Sequence, residues 1–181
     1  MRRYAAAAAT AAALCLTAAL AAPAAATGDG DGDGGGGDRG WRPVHYDPVN
    51  YPAGERCDFA FRTEPVRNET MVKTVATYPD GSPKTELYKG ALTVRVTNLE
   101  TGAAYVEDAS GRGLARYAPD GAQTYYAVGP FLVGFEEGQG NLPRGEYVVD
   151  GVYTFTFTAD GQRTVDWVGP KKLTDVCAEI D

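Results

Sequence analysis

The sequence predicts an all-β protein, an antiparallel β-sandwich or flattened barrel of about nine to eleven strands. Three observations predict this class. After Cys57, Val, Thr, Tyr and Phe recur in short alternating runs. No stretch shows the apolar period of an amphipathic helix of useful length, and Asp-Gly pairs divide the runs at hairpin-like spacing.

The predicted strands begin at Cys57 and reach the C-terminal cysteine. They are 57–63, 70–78, 84–89, 92–98, 103–109, 114–117, 123–128, 131–135, 146–158, 163–168 and 171–177. In the strand at 92–98, Leu92, Val94 and Val96 alternate with polar residues, which is typical of a strand with one buried face.

The last long hairpin has two possible registers. A two-residue loop would place Asp166 opposite Phe155, on the aromatic face of the strand. A three-residue loop at 159–161 places Val165 opposite Phe155 instead, and the polar residues then meet on the other face. The sequence therefore predicts the three-residue loop, with Gly161 as a left-handed bulge.

Two Pro-Asp-Gly turns, at 79–81 and 119–121, carry a glycine in the same third loop position. Proline fixes φ at the first loop residue, and glycine accepts a positive φ without steric cost. We therefore expect all three hairpins to share one loop geometry.

The amino terminus is typical of a secretory signal peptide at 1–26. Arg2 and Arg3 precede an Ala- and Leu-rich run, and small residues lead to a cleavage site near Ala26-Thr27. We therefore expect a secreted, extracellular protein. A disordered Gly- and Asp-rich linker at 27–40 follows, because it has no apolar residue to bury.

The remaining chain is expected to form one domain at 57–181, preceded by a Pro- and aromatic-rich extended arm at 41–56. The mature chain of about 155 residues suits a single core. Loss of Arg2 and Arg3 with the signal leaves 15 basic against 24 acidic residues. This acidic balance excludes nucleic acid as an expected partner, and no integral membrane segment is expected after cleavage.

Two cysteines remain after cleavage, because Cys15 lies inside the signal. An even count in an exported chain predicts a disulfide between Cys57 and Cys177. Bridged Cα atoms lie about 4.4–6.8 Å apart. We therefore expect the first and last strands to lie side by side.

No set of residues predicts a catalytic, cofactor or metal site. His45 is the only histidine and falls in the arm, which argues against a Ser-His-Asp or Cys-His site. The pairs Glu107-Asp108 and Glu136-Glu137 are the remaining acid/base candidates. Sequence neighbours on a strand point to opposite faces, so neither pair forms a dyad by itself.

Two adjacent tyrosines, Tyr125 and Tyr126, are the candidate binding surface. Because neighbours on a strand face opposite ways, one of the two is expected to be exposed. Exposed aromatic rings on a β face can stack on sugars or contact other proteins.

The layout resembles small exported actinobacterial β proteins to which no function is assigned. The residues that carry the resemblance are the Ala-rich signal, Cys57-Asp58-Phe59, the segment 92–102 and Cys177. The resemblance implies export and a β fold, and it assigns no site residue.

The leading functional expectation is an exported, non-catalytic β module that binds a glycan, a cell-envelope component or a protein. Three observations favour this expectation: the sequence shows no set of catalytic residues, one of the two adjacent tyrosines is expected to be exposed, and a flexible tether precedes the domain. One alternative is a secreted hydrolase or isomerase that uses carboxylates and tyrosines in a barrel mouth. A second alternative is a purely structural envelope protein.

Overall fold

The structure is a computed structural model that describes residues 40–181. The expected signal peptide at 1–26 lies outside the described residues, as does the expected linker up to residue 39.

The described chain forms twelve strands and one short helix. They are β1 (Arg42–Pro43), β2 (Val49–Tyr51), β3 (Phe61–Asn68), β4 (Met71–Thr77), β5 (Pro83–Lys89), β6 (Leu92–Asn98), β7 (Ala104–Asp108), β8 (Arg112–Tyr117), β9 (Gln123–Val128), β10 (Phe131–Phe135), β11 (Gly145–Phe157), β12 (Arg163–Asp175) and α1 (Val176–Glu179). The predicted all-β class is confirmed. The segment 41–56 adds two short strands, and residues 163–175 form one strand where two were predicted.

Two antiparallel sheets make up the sandwich. The larger has the order β1-β4-β5-β8-β9-β11-β10, and β12 also pairs with β11. The smaller has the order β2-β3-β6-β7. The arm therefore supplies an edge strand to each sheet, because β1 pairs with β4 and β2 pairs with β3.

Glycines allow two sharp bends of the chain, one between the two sheets at Gly90 and one within β11 at Gly151. Gly90, between β5 and β6, has φ 125°, and a Cβ there would lie 2.1 Å from the carbonyl oxygen of Glu69. Gly151 bends β11 at φ 128°, where its carbonyl accepts a hydrogen bond of 2.9 Å from Gly129 N–H. An L side chain rarely adopts this backbone conformation, so glycine is required at both bends.

The core divides into two clusters of buried side chains. One lies between the two sheets, where Phe61 and Val96 of the smaller sheet pack with Val148 of β11. The other lies along β10, β11 and β12, and its centre includes Phe155 and Val165. We call the face of the larger sheet that carries Phe155 the inner face and the opposite face the outer face.

The predicted three-residue loop in the last hairpin is confirmed. Phe155 is the register partner of Val165, and Thr158 N–H donates to the carbonyl of Gln162 across the loop. Gly161 has φ 87°. The turns at 79–81 and 119–121 have the same pattern of hydrogen bonds and a positive-φ glycine, so one loop geometry occurs three times.

Cys57 and Cys177 form a disulfide with Cα atoms 5.5 Å apart. The expectation that it joins two neighbouring strands is wrong. Cys57 lies in the turn before β3, and Cys177 lies in α1, which begins where Asp175 accepts a hydrogen bond from Ala178 N–H. The bond therefore ties a loop of one sheet to the C-terminal helix, within the core between the sheets.

Candidate functional site

The site is built on a row of four residues that are direct register partners on neighbouring strands, at the inner face. Tyr88 on β5 pairs with Gly113 on β8, which pairs with Ala127 on β9, which pairs with Tyr153 on β11. Neighbouring strands lie about 4.8 Å apart. Two minimal side chains between two tyrosines therefore leave a notch in the inner face.

A cavity of about 270 Å³ occupies this notch. Its lining includes the polar residues Thr70 and Arg112 and six aromatic rings, those of Tyr46, Tyr88, Tyr125, Phe131, Tyr153 and Phe155. Tyr125 lies near both Phe131 and Phe157, with ring centroids 6.5 and 5.9 Å apart. The walls are thus packed against the core.

Two positions on the floor of the cavity must be glycine, because the backbone of β9 and of the segment that follows it passes close to both of them. A Cβ on Gly113 would lie 2.5 Å from the carbonyl oxygen of Tyr126, and one on Gly111 would lie 2.6 Å from that of Pro130. Such contacts with backbone atoms are not tolerated without a shift of the strands. The space above these glycines is therefore a consequence of how the strands meet.

The N-terminal arm closes one side of the cavity. Val44 and Tyr46 line it, and Val44 is held by two hydrogen bonds. Its N–H donates to the carbonyl of Thr70 at 2.9 Å, and its carbonyl accepts from Asn68 Nδ2 at 2.8 Å. A segment outside the main meander thus completes the wall.

Glu86 lies beside the cavity and is 5% exposed. Its Oε1 accepts hydrogen bonds from Arg42 Nη2 at 2.7 Å and Thr74 Oγ1 at 2.8 Å. The hydroxyls of Tyr88 and Tyr117 lie 2.8 and 3.0 Å from Oε2. All four groups can donate to the carboxylate, which is consequently well satisfied in its charged form.

The electrostatics of this cluster favour a charged carboxylate and neutral phenols. Burial raises the pKa of Glu86, but the hydrogen bonds from Thr74, Tyr88 and Tyr117 and the charge of Arg42 outweigh it, so the net pKa is lowered. Burial raises the pKa of Tyr88 and Tyr117. Glu86 is therefore an anchor for the cluster and lacks the free lone pairs of a general base.

A second buried carboxylate, Glu146, lies apart from the cavity lining. It is 2% exposed, and its Oε2 pairs with Arg56 Nη1 at 2.7 Å. The Arg56 guanidinium also lies 4.0 Å from the centroid of the Tyr51 ring. Burial raises the pKa of Glu146, and the charge of Arg56 opposes that rise. This pair joins the loop before β3 to β11.

The two candidate tyrosines face opposite ways. The Tyr125 ring forms part of the cavity wall, whereas Tyr126 is 46% exposed on the outer face. The guanidinium of Arg116 lies 5.5 Å from the centroid of the Tyr126 ring. The structure thus assigns the two residues to different surfaces.

The acid/base candidates do not meet at a site. Asp108, Glu136 and Glu137 are exposed, and Glu107 is half-buried on β7. His45 is exposed on the arm, and its Nε2 lies 3.1 Å from Asp47 Oδ1. None of these residues lines the cavity.

Sequence reasoning missed Glu86 and Glu146 as buried groups. The sequence did contain a signal that Glu86 is buried. Glu86 and Tyr88 share a face of their strand, and the turn at 79–81 fixes the register of that strand with the preceding one. The notch at Gly113 and Ala127 had no such local signal, since it depends on which strands become neighbours.

Within residues 40–181, no cluster of His, Cys, Asp and Glu side chains is arranged to hold a metal ion. The one helix found there is far too short to cross a bilayer. Comparison with known proteins adds no relative: no family model, curated protein or solved structure matches the chain significantly.

Proposed function

We propose that this chain is an exported, non-catalytic binding module whose internal cavity takes a small apolar molecule. The observation that carries the proposal is the register row in which Gly113 and Ala127 separate Tyr88 from Tyr153. Concave, mainly apolar pockets with aromatic walls are the usual sites for small ligands.

The hydroxyls of three wall tyrosines are already used by the protein, whereas Thr70 Oγ1 is a buried wall atom with no hydrogen-bond partner among residues 40–181. Tyr88 contacts Glu86, Tyr125 Oη donates to Gln123 Oε1 at 2.9 Å, and Tyr153 Oη donates to a backbone carbonyl at 3.2 Å. A ligand that enters therefore meets ring faces and aliphatic groups more than free hydrogen-bonding groups. This favours an aromatic ring or a short hydrocarbon chain.

The volume limits the size of the ligand. A cavity of about 150 Å³ accommodates benzene, so 270 Å³ corresponds to roughly ten non-hydrogen atoms. A substituted monocyclic aromatic or a medium-length alkyl chain fits this limit. The hydrocarbon part of an envelope lipid or of a diffusible metabolite would supply such chemistry.

Export is proposed from the amino-terminal sequence. The disulfide between Cys57 and Cys177 supports it, because disulfides persist mainly in oxidising compartments. The alternative of a carboxylate-based hydrolase has less support. No acidic residue lines the cavity within the described part of the chain, and the adjacent Glu86 is engaged by four donors.

Thermal unfolding with toluene and with 1-octanol tests the proposal. A ligand at about one hundred times its Kd stabilises by about 2.7 kcal/mol, which raises Tm by roughly 5–10 °C for a domain of this size. Ala127→Leu places added methyl groups in the notch and should abolish the response. Ala104→Leu, which adds the same bulk on exposed β7, should keep it.

Two results would contradict the proposal. One is the absence of any change in wild-type Tm with either probe. The other is an Ala127→Leu variant that responds like the wild type. If leucine disrupts the sheet, Ala127→Val gives the same test with a smaller reduction in the response.

A further inference from the structure

A second concave site lies between the two Pro-Asp-Gly hairpins, apart from the apolar cavity. It is a cleft of about 390 Å³ that includes the ends of β5, β8 and β9. Its lining includes Tyr78, Lys84, Thr85, Arg116, Tyr117 and Thr124. No lining residue is shared with the apolar cavity.

The charge of this cleft is opposite to that of the chain. Its charged lining residues are Lys84 and Arg116, whereas the whole chain has a net charge of −7. Within the described range 40–181, neither cation forms an ion pair with a carboxylate. Each lies instead near a tyrosine ring, Lys84 Nζ being 5.5 Å from the centroid of Tyr78.

The nearby acidic residues of the two hairpins are used by their own turns. Asp80 Oδ1 accepts hydrogen bonds from Ser82 N–H at 2.9 Å and Ser82 Oγ at 2.6 Å. Asp120 Oδ1 accepts from Ala122 N–H at 3.0 Å. Neither aspartate lines the cleft, so neither competes with an outside anion for Arg116.

Arg116 is flanked by hydroxyl groups on both neighbouring strands. Thr85 on β5 and Thr124 on β9 are its direct register partners, so the three side chains share the outer face. A guanidinium between two hydroxyls offers several hydrogen bonds in one plane, which matches the geometry of a carboxylate or phosphate group. The exposed ring of Tyr126 lies next to the same guanidinium.

We infer that this cleft binds a small saccharide that carries an oxyanion, either a carboxylate or a phosphate. Arg116 pairs with the charged group on the outer face, the two threonines bind hydroxyls, and the exposed ring of Tyr126 provides a face on which a sugar ring can stack. Lys84 is the strand neighbour of Thr85 and points to the inner face, so it takes no part in this contact. The volume corresponds to roughly fifteen non-hydrogen atoms on the scale used for the apolar cavity, which is the size of one acidic sugar unit. This inference does not depend on the proposed apolar ligand.

An amide-detected NMR titration of the purified protein tests the inference, with glucuronate, glucose and inorganic phosphate as separate probes. Glucuronate should shift the amide signals of Thr85, Arg116 and Thr124. Arg116→Gln should weaken glucuronate binding about tenfold, the typical loss for a charged hydrogen bond. Lys172→Gln, which removes an exposed cation on β12, should leave it unchanged.

Several outcomes would overturn the inference. One is that glucuronate leaves the amide signals of Thr85, Arg116 and Thr124 unchanged. Another is that Arg116→Gln binds glucuronate as tightly as the wild type does. Glucose binding as tightly as glucuronate would exclude recognition of the oxyanion. Phosphate binding as tightly as glucuronate would show that charge alone is recognised and would exclude the saccharide. Circular dichroism of each variant establishes that the sheets remain folded.

Discussion

Gly113 on β8 and Ala127 on β9 are direct register partners, so two of the smallest side chains of the inner face meet between Tyr88 and Tyr153. Sheets in a sandwich normally fill their inner faces with interdigitating side chains. Here the strand pairing leaves an aromatic-walled space, which the arm closes through Val44 and Tyr46. The proposed function follows from this pairing.

The first prediction concerns the acid stability contributed by Glu86. Its folded-state pKa is lowered by hydrogen bonds that outweigh burial. Its stabilising contribution is therefore present above the unfolded pKa of about 4.3 and is lost as pH falls through the lower folded value. In Tm measured against pH, wild type should lose more stability below about pH 4.3 than Glu86→Gln does.

Glu100→Gln is the matched control, because Glu100 lies on an exposed turn. Its curve should follow that of the wild type. Superimposable pH curves for Glu86→Gln and wild type would contradict the assigned role of Glu86.

The second prediction concerns the disulfide. The bond closes a sequence separation of 120 residues, and the chain-entropy relation gives a contribution of about 4–5 kcal/mol. Replacing both Cys57 and Cys177 by serine should lower the free energy of unfolding by about that amount in urea. An unchanged unfolding midpoint would mean that the covalent link contributes little.

The third prediction concerns the shared hairpin loop. Gly161 has φ 87°, and a Cβ there would meet no atom within 4 Å. Gly161→Ala should therefore cost about 1–2 kcal/mol through backbone conformation alone. Gly161→Asn should cost less, since asparagine enters the left-handed region more readily. Equal Tm values for alanine, asparagine and wild type would argue against the bulged loop.

The fourth prediction compares two aromatic residues on opposite faces of the larger sheet. Phe155 is 1% exposed, and Phe155→Ala should lower the free energy of unfolding by about 3–5 kcal/mol. Tyr126 is 46% exposed, and Tyr126→Ala should change it by about 0.5 kcal/mol or less. Chemical denaturation measures both. The opposite ranking would mean that the two faces have been exchanged.

Local patterns in the sequence predicted much of the fold. The predicted strands at 92–98, 123–128 and 131–135 have the observed bounds. In the strand at 92–98, alternation also separates an apolar side from a polar side. The register of the last hairpin followed from pairing Phe155 with Val165. These features depend on residues close together in the chain.

Features that depend on distant residues were not predicted. The cavity arises only when β8 and β9 pair so that Gly113 meets Ala127, with Tyr88 and Tyr153 on the flanking strands. The end of the strand predicted at 171–177 was wrong: β12 stops at Asp175, and Cys177 lies in a helix of four residues, which is too short to show a helical period.

The most direct test of the central claim is to locate bound toluene by nuclear Overhauser effects. The account predicts contacts from the toluene protons to the Ala127 methyl group and to the rings of Tyr88 and Tyr153. Contacts confined to the exposed methyl groups of Val128, Val152 and Val168 on the outer face, or no contacts at all, would contradict it.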